Sequence, residues 1–197
     1  MQVTTGWTDA LAADARDAQT LRRILADPTN PEVYPDSIPH ELVNGAIIVT
    51  PPAGPTHGSL LVLLGTHLRR QVPRDLWLGI DTWLYLDRQN HPAPDLMLCP
   101  RPDSEMKRPA EALLVLEILS PATADRDRGE KRAVYARHAI PSYLIVDPEP
   151  LTITELRLDG ETYVERQSAT APGIFTTEAP CPLTINLGSL ARELAAW

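Results

Sequence analysis

Apolar and polar positions along the chain switch between the 3.6-residue period of helices and the two-residue period of strands. Residues 8–26, TDALAADARDAQTLRRILA, have helical composition, with Thr8 as N-cap. The proline-rich DPTNPEVYPDSIP that follows must be loop. HELVNGAIIV carries short apolar runs on either side of Asn44-Gly45, the dipeptide of a type I′ turn, and predicts a hairpin. Leucines recur at helical spacing from His57 to Val72 and predict an amphipathic helix. LWLGIDTWLYLD, residues 76–87, alternates and is rich in β-formers, which predicts one strand or a bent pair.

Farther on, a short strand is predicted from about Asp95 to Cys99, then the polar loop RPDSEMKRP, then the buried strand ALLVLEILS. PATAD reads as loop, residues 128–139 as helix, and PSYLIVDP as another strand. LTITELRLDGETYVERQ predicts a second hairpin around Asp159-Gly160. A polar APG linker, a short strand near Leu183–Ile185 and a helix from Ser189 complete the chain. This order predicts an α/β (α+β) domain with a central mixed β-sheet flanked by helices and additional hairpins.

The strand LLVLEIL contains a carboxylate, Glu117. An ionised carboxylate in a buried strand has to be paired, protonated or metal-bound. Alternation sets Glu117 on one face with Leu113, Val115 and Leu119, near the strand's C-terminal end. Asp95, after Pro94, opens the preceding strand. If these two strands pair antiparallel, Asp95 and Glu117 come together. Two carboxylates, the Ile118 backbone carbonyl and water suit a hard cation such as Mg2+ or Mn2+. Downstream, Asp127 and Glu130 form a capping-box-like pattern, with Asp127 as N-cap. Lys131 would then lie in the first helical turn, with Tyr135 four residues on along the same face. Its ammonium could reach Glu117 and orient a water at the metal. The alternative is a Glu117–Lys131 ion pair without chemistry, Asp95 as a turn residue and Tyr135 as core.

Charge sharpens this picture. The net charge is −8, which argues against coating nucleic acid by bulk electrostatics. It is unevenly spread: residues 51–146 carry a net +1 and both flanks are acidic. The chain has sixteen Arg but only two Lys, Lys107 and Lys131. Lysine is a compact ammonium that can shift its pKa, a property arginine lacks. Cys99 and Cys181 stand outside any metal-binding spacing and read as ordinary buried thiols. The apolar runs are too short to span a bilayer, and the N-terminal stretch lacks the pattern of a secretory signal, so a cytoplasmic protein is expected.

The succession of Pro94-Asp95, a hydrophobic strand with an internal Glu117, and then Lys131 resembles the PD-(D/E)XK nuclease superfamily. HELVNGAIIVTPPAGPTHG, PAPDLMLCP and LLVLEILSPATADRDRGEKRAVYARHAIPSYLIVDP are similar to the Uma-two family of restriction endonuclease-like proteins. The resemblance spans roughly residues 38 to 150. It implies a restriction-endonuclease-like core and Mg2+-dependent hydrolysis of DNA phosphodiester bonds. Asp95 and Glu117 would be the metal-binding acids and Lys131 the catalytic lysine. The superfamily lysine is expected two residues after the acid, where this chain has Leu119; Lys131 would replace it from the following helix. Glu41 would be an additional acid, and His57 would contact phosphate or water. Arg126, Arg128 and Arg132 would hold backbone phosphates. A homodimer would suit an enzyme that cuts two strands. On this reading residues 1–37 are a helix and lead-in. Residues 38–197 form one nuclease-like domain, with a core to about 150 and a C-terminal hairpin and helix over 151–197.

Overall fold

The computed structural model describes residues 40–48, 53–101 and 109–196. The helix expected at 8–26, its proline-rich loop and the boundary at residue 37 lie outside the described residues. Among the described residues, the first element is the expected hairpin, β1 (Glu41–Val43) and β2 (Ala46–Ile48), with Val43 opposite Ala46. Both turn residues have positive φ, 49° at Asn44 and 75° at Gly45, as a type I′ turn requires. Helix α1 runs Pro55–Arg69, with proline in its first turn, where a missing N–H costs nothing.

The central sheet comprises β3 (Leu76–Ile80), β4 (Leu96–Pro100), β5 (Leu114–Ile118), β6 (Ser142–Pro148), β7 (Leu151–Asp159) and β8 (Thr162–Thr170), in that spatial order. Neighbours are antiparallel except β5 and β6, which run parallel. A parallel pair needs a crossover. Here it is α2 (Ala124–Arg126), a π-helical turn (Asp127–Lys131) and α3 (Arg132–Arg137). A second antiparallel pair, β9 (Ile174–Thr177) and β10 (Leu183–Asn186), leads into α4 (Leu187–Ala195).

Each face of the sheet has its own core. On one face, Leu60, Leu64 and Leu68 of α1 and Leu187 and Leu190 of α4 cover Leu96, Leu98, Leu114, Leu116, Ile118 and Leu144. On the other, Tyr135 and Ala136 of α3 pack with Met97, Val115, Tyr143, Leu156 and Tyr163. Every residue of β5 is buried, so its near-continuous apolar run follows from helices on both sides. Among the described residues, no helix is long and apolar enough to cross a membrane.

The structure corrects several expected boundaries. The strand expected over 76–87 ends at Ile80, where Asp81 turns into the left-handed region with φ 44°. Strand β9 lies between the APG linker and the strand near Leu183–Ile185, where the sequence reading assigns no element. Helix α4 starts at Leu187 and not at Ser189, because the Asn186 side chain accepts from the Ser189 N–H at 2.9 Å and caps it. The crossover helix begins before residue 128, so Asp127 is inside it with φ −65° and ψ −41° and is not an N-cap.

Gly45 holds the turn that carries Glu41. Gly45→Ala should cost about 1–2 kcal/mol, because a Cβ opposes the left-handed conformation. A lower urea midpoint at unchanged slope is the expected reading, and an unchanged midpoint contradicts it.

Candidate active site

The sequence leaves open whether Lys131 reaches Glu117. The π-helical turn ends at Lys131, and its Nζ lies 3.0 Å from Glu117 Oε1, 2.7 Å from Glu41 Oε1 and 3.8 Å from Asp127 Oδ1. Tyr135, one turn on, donates its hydroxyl to the same Glu117 Oε1 at 2.7 Å. A π turn widens the helix locally, a departure often found at functional sites. The carbonyl of Asp127 within it accepts from Tyr143 Oη at 2.9 Å.

Asp95 arrives from the neighbouring strand. The register Leu96 opposite Leu116 brings Asp95 to the Glu117 end of β5. Its Oδ2 accepts from the Ile118 N–H at 2.6 Å and lies 3.1 Å from His57 Nε2. Glu41 is buried despite opening a strand; its Oε1 also accepts from the Ala93 N–H at 2.8 Å. Thus Asp95, Glu117, Lys131, Glu41, His57 and Tyr135 gather at one end of the sheet, with the main chain of Ile118 bonded to Asp95.

The arginines are distributed differently. Arg128 pairs with Asp147 at 2.9 Å on the surface. Arg132 donates to the Tyr163 carbonyl at 2.6 Å and so ties α3 to β8. Arg126 is half-buried at the end of α2.

The electrostatics are one-sided. Burial drives the Glu117 carboxyl well above the usual range; Lys131 opposes this, while Asp127, Asp95 and Glu41 add to it. Burial likewise raises Asp127 against the pull of Lys131 and a side-chain hydrogen bond from Thr123. Asp81 is raised by burial and by Asp95 and Glu41, although its surface remains exposed. For Lys131, burial alone would lower the pKa, but Glu117, Glu41 and Asp127 outweigh it and keep the ammonium charged. The hydrogen bond to Asp95 raises His57, against its own burial.

Such a pocket holds more carboxylates than cations. Its side-chain donors are hard oxygens, and Asp127 Oδ1 is buried without a hydrogen-bond partner. That chemistry fits a divalent cation. Among the described residues, no group of three or more His, Cys, Asp or Glu is arranged to hold a metal ion. The donor set expected from the sequence needs only Asp95, Glu117 and the Ile118 carbonyl, with water completing it, so the two statements are compatible.

Two members of the cluster escape the sequence reading. Asp127 reads as a cap, although its spacing of four from Lys131 is also that of a helical ion pair. Asp81 follows β3, and only the pairing of Ile80 with Leu96 brings it beside Asp95, whose carbonyl accepts the Asp81 N–H at 3.0 Å.

A family model described as "Putative restriction endonuclease", Uma2, matches residues 28–187. The chain belongs to the Uma2 family. The match begins within the lead-in expected over 1–37. A crystal structure of a "putative nuclease belonging to DUF820" from Anabaena variabilis ATCC 29413 is similar to this Uma2 chain, with a TM-score of 0.64 and 20% identity. The likeness covers 82% of this chain and 94% of that one. At that identity the likeness concerns the fold: a mixed sheet with flanking helices. No curated protein matches.

Two outcomes follow from these charges. Lys131→Met leaves buried carboxylates uncompensated and should cost about 3–5 kcal/mol. The raised carboxyls can take up protons in acid, so the loss should be larger at pH 8 than at pH 5; equal losses would count against the pairing. The raised pKa of His57 means its pair with Asp95 stabilises fully below about pH 6.5. That contribution fades as pH rises through the folded-state value. His57→Gln should therefore flatten the fall of Tm above about pH 6.5; an unchanged profile would contradict the assignment.

Proposed function

We propose that this Uma2 chain is a metal-dependent endonuclease that hydrolyses DNA phosphodiester bonds. The observation that carries the reading is Glu117. A carboxylate at the end of a wholly buried strand is costly, and it lies among Lys131, Tyr135, Asp95 and Glu41. Membership of a family described as restriction endonucleases supports the same reading.

Asp95, Glu117 and the Ile118 carbonyl would hold Mg2+ or Mn2+. A bound cation supplies Lewis-acid stabilisation of charge on the phosphate. Lys131 orients the attacking water with its ammonium and offers a proton to developing negative charge. Tyr135 holds the Glu117 carboxylate through its hydrogen bond to Oε1. Glu41 holds Lys131 from the opposite side, and His57 holds Asp95. Of the basic residues, Arg126 and the exposed Arg128 are the ones to meet backbone phosphates, since the Arg128–Asp147 pair is a surface pair that a phosphate can displace. Arg132 serves this less directly, being committed to Tyr163. A homodimer and a cytoplasmic location belong to the same proposal.

A second reading has a specific observation in its favour. Glu117 and Lys131 already satisfy each other, as a structural ion pair in a non-cutting binding module would. The readings separate on supercoiled plasmid DNA with and without MgCl2. The nuclease reading predicts cation-dependent nicking or linearisation, reduced at least about 100-fold in Asp95→Ala and in Glu117→Ala. Full activity in both variants would refute the site. Absence of both cleavage and any cation-induced thermal shift in the wild type would favour the binding module.

A further inference from the structure

The carboxylate of Asp127 is the member of the pocket for which the proposed chemistry has no use. It is 1% exposed, and its Oδ1 has no hydrogen-bond partner. Removing such a group from water without a donor is unfavourable, so its position needs a compensating role. Asp127 opens the π-helical turn and Lys131 closes it, so the backbone itself sets carboxylate against ammonium. That backbone is held on both sides: the Asp127 N–H donates to the Thr123 carbonyl at 2.9 Å, and its carbonyl accepts from Tyr143.

The ammonium of Lys131 has three protons to place. Glu41 Oε1 and Glu117 Oε1 lie within hydrogen-bond reach, and Asp127 Oδ1 is the third carboxylate oxygen around it. At 3.8 Å it is beyond a hydrogen bond, and roughly 1 Å of side-chain movement would make one. Glu117 Oε1 already accepts from both Lys131 and Tyr135. Anything else that engages this oxygen competes with Lys131.

We propose that Asp127 is a positioning residue for Lys131: its unpartnered Oδ1 retains the ammonium in the pocket when Glu117 gives up its hydrogen bond to that amine. The catalytic part of this inference rests on the nuclease reading; the contact itself does not. Asp127 touches no reacting atom and acts through Lys131 alone.

With two lysines in the chain, 15N-lysine labelling yields two side-chain amines to follow by NMR. Proton exchange of the Lys131 ammonium is measured in the full chain with and without MgCl2. The proteins are wild type, Asp127→Asn and the exposed control Asp125→Asn. Asp127→Asn should accelerate exchange about tenfold, more with MgCl2 than without, and the control should match wild type. Plasmid cleavage by Asp127→Asn should lose about 10- to 100-fold in kcat with KM little changed, and Asp127→Glu should recover part of it. Unchanged exchange in Asp127→Asn under both conditions overturns the proposal, as does a wild-type Lys131 amine that exchanges as fast as a solvated one. If wild type cuts no DNA while exchange still depends on Asp127, the nuclease reading fails and the positioning contact stands. If DNA is cut and exchange ignores Asp127, the positioning proposal fails alone. Should Asp127→Asn not fold, Asp127→Glu keeps the charge but displaces the carboxylate relative to Lys131. It should accelerate exchange by a smaller factor, and no acceleration overturns the proposal.

Discussion

The buried pair of Glu117 and Lys131 is the constraint on which the rest of the structure depends. Strand β5 is covered on both faces, and a lone carboxylate there would oppose folding. The compensating ammonium comes from the crossover that the parallel β5–β6 pairing requires. Topology and charge therefore meet in one connection: the segment that makes the mixed sheet possible also carries Lys131 and Tyr135 to Glu117. Asp127, Lys131 and Tyr135, spaced four residues apart along that segment, share its inward side.

The surrounding charges have a direction. Glu41, Asp95, Asp127 and Asp81 add negative charge around one lysine and one histidine, and burial raises several of the carboxyls. A pocket built only to bury an ion pair would be more stable with fewer acids. The surplus is intelligible if the pocket receives a cation. A bound cation would also reconcile an acidic chain with the proposed DNA substrate, because attraction would then be local to the site.

Much of this was legible in the sequence because it depends on local rules. Asn44-Gly45 and Asp159-Gly160 announce their hairpins by turn chemistry, and the leucine spacing announces α1. Glu117 betrays itself as a charge within an apolar run, and the antiparallel partner of Asp95 follows from adjacent strands. What was not legible depends on three-dimensional register. Asp127 resembles a cap until the helix is seen to start at Ala124. Asp81 gains meaning only from the pairing of β3 with β4. The burial of Glu41 requires β1 to lie against residues 91–93, where Leu42 and His91 exchange backbone hydrogen bonds. The partners of the arginines also depend on register: Arg128 pairs with Asp147 and Arg132 donates to the Tyr163 carbonyl, neither of which is adjacent in sequence.

The central claim is that the end of β5 is a cation site and not merely a closed ion pair. Crystals soaked in MnCl2 and measured at the manganese absorption edge test it most directly. The account predicts an anomalous peak between Asp95 and Glu117, beside the Ile118 carbonyl, that disappears in Glu117→Ala. A well-ordered pocket with no peak there, and with Lys131 still bonded to Glu117, would contradict it.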